Sequence, residues 1–97
     1  IAVCIDGPHA PVMVPVDIGG LDCDYYAVSL HKWCCAPLGA GFLYVHPRRQ
    51  AGIQPATISW GKTLTDRPPR WTDEFHWMGS RDPAAILSVP AAIEFLE

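Results

Sequence analysis

Lysine is scarce in this chain: 97 residues hold two, Lys32 and Lys62. Long apolar runs are missing as well. None approaches the roughly 18 consecutive residues that a membrane span needs, so no membrane partner is expected. No charged stretch precedes the apolar start, so no secretory signal is expected in this stretch. Excess charge of one sign is lacking too. The formal net charge of −3 leaves no basic footprint for nucleic acid. The four cysteines do not carry Cys-x-x-Cys spacing. Cys34 and Cys35 are adjacent, which suits neither a relaxed disulfide between them nor the usual zinc pattern. Cys4 and Cys23 lie in or beside core-like runs. Buried free thiols in a reducing, cytoplasmic compartment are the expectation.

What is present is globular in kind. Hydrophobic residues make up 49 % of the chain and ten residues are aromatic, too apolar for a disordered segment. Its length fits at most one domain. Ile1-Ala-Val-Cys-Ile5 is an apolar run closed by Asp6-Gly7-Pro8, the pattern of a strand buried on both faces. Pro11 to Pro15 reads as extended. Val16 to Leu21 reads as a weak helical turn, limited by Gly19 and Gly20. Tyr25 to Leu30 is a second strand, rich in aromatic and β-branched side chains. About seventeen residues separate these runs, enough for the crossover that a parallel neighbour requires.

Gly41 to Val45 reads as a third strand, stopped by Pro47. The short connection ahead of it, Trp33 to Ala40, favours an antiparallel return. Residues 46–78 show prolines, polar turns and little periodicity, and read mostly as loop. Asp82-Pro83 starts a helix, with Asp as cap and Pro at the first helical position. Ala84 to Ser88 and Pro90 to Glu97 then form two short helices, or one bent at Pro90. The chain opens inside a strand-like run and closes inside a helix-like one, so an internal piece of a larger protein is expected.

Asp6 ends the first strand and Lys32 follows the second. In open α/β sheets, ligands bind beyond the carboxyl ends of the strands. Parallel neighbours lie about 5 Å apart, so both side chains can reach one ligand. A lysine and an acid so placed are what a pyridoxal 5'-phosphate (PLP) enzyme needs. The amine forms an imine with the cofactor aldehyde, and the acid keeps the pyridine nitrogen protonated. Lys62 lies in a polar Gly/Thr/Asp stretch with no apolar scaffold. Taken singly, each residue has an ordinary explanation. Strand-end Asp residues cap turns, and a lysine after a strand is solvated. His9 and His31 suit polar loops, and Ser29 a small core hydroxyl. Their joint occurrence in this order is what points to a site.

Asp6-Gly-Pro-His9-Ala and Ser29-Leu-His-Lys32-Trp, followed by Pro37-Leu-Gly39-Ala-Gly41-Phe-Leu-Tyr-Val, resemble the aminotransferase class V family of fold-type I PLP enzymes. Cysteine desulfurases belong to this group. His9 and the Trp after the lysine resemble its isopenicillin N epimerase-like branch more closely. The resemblance implies an α/β fold: part of the PLP-dependent transferase large domain, mostly parallel sheet with one antiparallel strand after the lysine. Residues 1–97 would be part of a single large domain, incomplete at both ends.

The resemblance further implies Lys32 as the Schiff-base lysine and Asp6 as partner of the pyridinium nitrogen. It implies His9 at the phenolic oxygen or ring, and Ser29 and His31 at the phosphate. Met78-Gly79-Ser80-Arg81-Asp82 resembles the family's Gly-Thr-x-Asp segment, with Ser80 in place of Thr. This segment reaches the partner subunit's phosphate in a homodimer. The implied activity is on an amino-acid substrate: epimerase, C–S lyase or aminotransferase. Cys34 and Cys35 do not correspond to the desulfurase catalytic cysteine, which lies in a later region. The isolated stretch is expected to be inactive. Two other readings stand beside this one: a metal-binding module built from Cys4, His9, His31 and Cys34 or Cys35, and a non-catalytic fragment that packs against a partner.

Overall fold

Tyr25-Tyr-Ala-Val-Ser alternates side chains that pack well on a pleated surface, and it forms the middle strand of the only sheet among the described residues. In the computed structural model, every residue except Thr65 and Met78 is described. In chain order the elements are β1 (Cys4–Asp6), α1 (Ile18–Leu21), β2 (Tyr25–Ser29), β3 (Gly41–Val45), α2 (Pro47–Gln50), a 3-10 turn (Gly61–Thr63), α3 (Asp73–His76), α4 (Ala84–Leu87) and α5 (Val89–Leu96). They fall into two units: Ile1–His46 with Asp82–Glu97, and Pro47–Arg81.

In the first unit, β1 pairs parallel with β2 and β2 pairs antiparallel with β3. Both strand senses agree with what the connection lengths require. Asp6 stands opposite Ala27, and Ser29 opposite Gly41. The parallel pairing is extended at both ends. Gly7 N–H donates to the Ala27 carbonyl, and the Val3 carbonyl accepts from Asp24 and Tyr25 N–H. The buried Asp24 carboxylate accepts from Val3 N–H at 2.8 Å, which fixes the entry to β1. One sheet face carries the core. Cys23, Tyr26 and Val28 are buried there, with Ile5, Val16, Ile18, Leu30 and Tyr44 packed against them.

Three expectations need correction. First, β1 is not buried on both faces: Cys4 and Asp6 are exposed, and Ile5 is half-buried. β1 lies at the sheet edge, and α1 and its approach cover only the Ile5 side. Cys4 is therefore an exposed thiol, as is Cys35; only Cys23 and Cys34 are buried. Second, Pro11 to Pro15 is not extended. Ala10 N–H reaches the Gly7 carbonyl, and Met13 and Val14 N–H both reach the Ala10 carbonyl, so the chain coils into consecutive turns. Val12 takes a positive φ of 73° to do so. Third, Pro83 precedes the first helical residue rather than occupying it, although Asp82 Oδ1 does accept from Ala84 N–H at 2.9 Å. The two C-terminal helices form as expected, separated at Ser88.

The second unit is loop with short helical turns, as its punctuation suggests, and its ties are polar. Asp73 is buried and accepts from Arg67 Nη1 and Nη2 at 3.1 and 2.7 Å and from Arg70 N–H at 2.6 Å. The Arg67 hydrogen bonds, and next the Arg70 N–H, hold its carboxyl down to about 2. Lys62 Nζ pairs with Glu74 Oε2 at 2.8 Å, linking the 3-10 turn to α3. Gly61 lies so close to the Asp73 backbone that a Cβ there would collide with it.

Candidate active site

β1 and β2 run in the same direction, so the turn after Asp6 and the turn after Ser29 emerge at the same edge of the sheet. Both are held by backbone bonds. In the first, Gly7 donates to Ala27, and its carbonyl accepts a long 3.4 Å bond from the buried Tyr26 hydroxyl. A Cβ on Gly7 would strike the Tyr26 ring, so only glycine lets the chain turn this close to β2. In the second, Leu30 is fixed at both backbone groups. Its N–H donates to Ala40 and its carbonyl accepts from Ala36. Residues 31–35 are thereby closed into a loop, with Cys35 at a φ of 55°.

These two turns bring His9 and Lys32 together across 23 positions of sequence: Lys32 Nζ lies 3.3 Å from His9 Nε2. Trp33 Nε1–H donates to His9 Nδ1 at 2.9 Å, and the two rings meet edge-on at 62°. The cluster is open to solvent. Asp6 is the exposed last residue of β1, three positions before His9. Ser29 is the half-buried last residue of β2. His31 lies between Ser29 and Lys32, and its Nδ1 is a buried polar atom with no hydrogen-bond partner. Such an atom costs about 1–3 kcal/mol unless something pairs with it. Ser80 lies in the other unit, exposed, in the turn at 79–80. Met78 of the same segment falls outside the described residues.

A cavity of about 480 Å³ sits on the core face, between Ile5 and Tyr26 and the segment from Ala10 to Leu21. Its lining is mostly apolar and includes none of the candidate residues. Cys34 has its thiol pushed up, by burial first and by neighbouring Cys35 second, which is unfavourable for a thiolate nucleophile. Among the described residues no three His, Cys, Asp or Glu side chains come together as metal ligands, so the metal-module reading gains no support.

The Trp33–His9 bond is what sequence reasoning missed. Trp33 was legible only as a neighbour of the lysine, because its partner lies 24 positions away on another turn. The donor set now fits PLP chemically. A carbonyl-reactive amine, a carboxylate, a hydroxyl and two imidazoles gather at the carboxyl ends of two parallel strands, and one imidazole nitrogen is buried and unpartnered.

Known proteins resemble the chain over nearly its whole length. The chain is 35 % identical to isopenicillin N epimerase of Streptomyces clavuligerus, over 98 % of this chain and 27 % of that protein. It is 38 % identical to isopenicillin N epimerase of Amycolatopsis lactamdurans, over 94 % of this chain and 25 % of that protein. A cysteine desulfurase of Escherichia coli is 33 % identical over 97 % of this chain and 24 % of its own length. The chain thus spans about a quarter of the length of these relatives. The family model for aminotransferase class V matches residues 1–97, and the chain belongs to the aminotransferase class V family.

Proposed function

We propose that this chain carries the cofactor-holding lysine of a PLP-dependent enzyme acting on an amino acid, and that it is part of one PLP-binding large domain. The single observation behind the proposal is the meeting of Lys32 and His9 at the ends of parallel strands β1 and β2. Lys32 would hold the cofactor through its aldehyde carbon, and Asp6 would hold the pyridine nitrogen. His9 would contact the phenolic oxygen or ring, and Ser29 and His31 the phosphate. When bound, PLP supplies an electron sink for charge developing at the substrate's α-carbon. Asp6 keeps the sink effective, because a carboxylate beside the pyridine nitrogen favours its protonated form. His31 suits a phosphate, since an anion favours the protonated imidazole. Lys32 Nζ, once free, is the base that takes and returns a proton at the α-carbon.

Epimerisation, C–S cleavage and transamination each begin with removal of the α-proton, the step this arrangement supports. The relatives include both isopenicillin N epimerases, at 35 and 38 % identity, and a cysteine desulfurase, at 33 %. Ser80 would serve the phosphate of a second subunit in a homodimer.

The decisive experiment treats the whole protein, loaded with PLP, with borohydride and maps the fixed cofactor by peptide mass spectrometry. The expected result is PLP on the peptide containing Lys32, and loss of the visible cofactor absorbance in Lys32→Ala. PLP fixed to a different lysine, or an unchanged spectrum in Lys32→Ala, overturns the proposal.

A further inference from the structure

We infer that Trp33 is a positioning residue whose indole N–H sets the orientation and tautomer of His9, so that His9 presents an Nε2–H to Lys32 Nζ. The inference rests on the proposed function only where it treats Lys32 as the cofactor-holding amine. An indole N–H donates and cannot accept. It lies 2.9 Å from His9 Nδ1, so Nδ1 is the acceptor and carries no proton. The proton of the neutral ring is then on Nε2, 3.3 Å from Lys32 Nζ.

The opposite tautomer would set an Nδ1 proton against the indole N–H. The indole bond therefore decides which imidazole nitrogen faces Lys32 Nζ and that, in the neutral ring, this nitrogen carries the proton. The turns on either side hold the participants in line. Leu30 is bonded to Ala36 and Ala40 on the Trp33 side, and Gly7 is bonded to Ala27 on the His9 side. Trp33 thus acts on the lysine through His9 and touches no reacting atom.

The test uses the whole protein freed of cofactor. Nitrogen-15 NMR of the His9 ring should show Nδ1 unprotonated and Nε2 protonated. Trp33→Phe keeps the ring and removes the donor, and both tautomers should then be populated. An Nδ1-protonated His9 in the wild type overturns the inference, as does Trp33→Phe leaving the tautomer unchanged. Should Trp33→Phe not fold, the wild-type spectrum still decides. A wrong tautomer with PLP fixed at Lys32 removes this inference alone; the right tautomer without fixation removes the proposed function alone.

Discussion

Lys32 and Lys62 are the same side chain on two differently built platforms. Lys62 Nζ meets a carboxylate at 2.8 Å, in a unit held by ion pairs and by the buried Asp73 with its arginines. Lys32 Nζ meets an imidazole at 3.3 Å, at the edge of a sheet with an apolar core. A cation paired with a carboxylate is spent on linking the 3-10 turn to α3. An amine beside an imidazole remains available for covalent chemistry. The units differ in backbone strain as well. Among the described residues, the non-glycine positions with positive φ, Val12, Asp22 and Cys35, all lie in the first unit. Val12 follows the His9 turn and Cys35 follows Lys32, so strain is kept next to the candidate site, where such strain tends to concentrate.

The sharpest way to break this contrast is to remove each lysine in the whole protein. Lys32→Ala should lower turnover by about 10³-fold, within the range for loss of a positioned acid–base group. Lys62→Ala should leave turnover within about twofold and shift the denaturation midpoint slightly, because a partly exposed ion pair contributes at most ~1 kcal/mol. Equal losses of turnover would erase the distinction between the platforms.

Two glycines probe the platforms themselves. Gly7→Ala drives a methyl into the Tyr26 ring, and Gly61→Ala drives one into the Asp73 backbone. Each should cost about 1–3 kcal/mol of stability by denaturant titration. Gly7→Ala should also reduce the fraction of PLP fixed at Lys32, because the Asp6–His9 turn must shift.

Acid should weaken the ionic unit. The folded-state carboxyl of Asp73 is depressed from 3.8 to about 2, so its contribution is present above pH ~4 and is lost as pH falls toward 2. Asp73→Asn should flatten the stability profile over that window, as followed by Trp fluorescence. A profile unchanged by the substitution would show that Asp73 does not carry it. The mildest expected effect is a gain. Val12→Gly removes a β-branched side chain from a left-handed conformation, and it should raise stability by about 1 kcal/mol after the added entropy of the unfolded chain is subtracted. A loss on the same scale would mean that the Val12 side chain packs well enough to offset its strain.

Much of the frame was legible beforehand because it rests on short-range rules. Runs of five or six residues, apolar or rich in aromatic and β-branched side chains, marked all three strands, and Gly7-Pro8 and Pro47 closed the first and the third. Loop length fixed their senses, since a parallel partner needs a long crossover and an antiparallel one does not. Asp82 was visible as a helix-start signal because capping is a contact between residues two positions apart. Where sequence reasoning failed, the deciding contact was remote or missing. Pro11 to Pro15 looked extended because proline favours extended backbone, but the Ala10 carbonyl captures two following N–H groups and coils it. Cys4 looked buried because its neighbours are apolar, yet burial needs a covering layer, and β1 is an edge strand.

The sequence alone therefore determined that an acid and a lysine stand at the ends of adjacent strands, with Lys32 and not Lys62 on the apolar scaffold. It also supplied the motifs that place the chain in its family. Only the tertiary structure decided that His9 stands between Trp33 and Lys32, with the indole N–H donating to its Nδ1. That alignment depends on the parallel register of β1 and β2 and on two closed turns, which bring together side chains 23 and 24 positions apart. Hydrogen-bond direction is a property of three atoms in a row, and no local pattern in the chain specifies that they will meet.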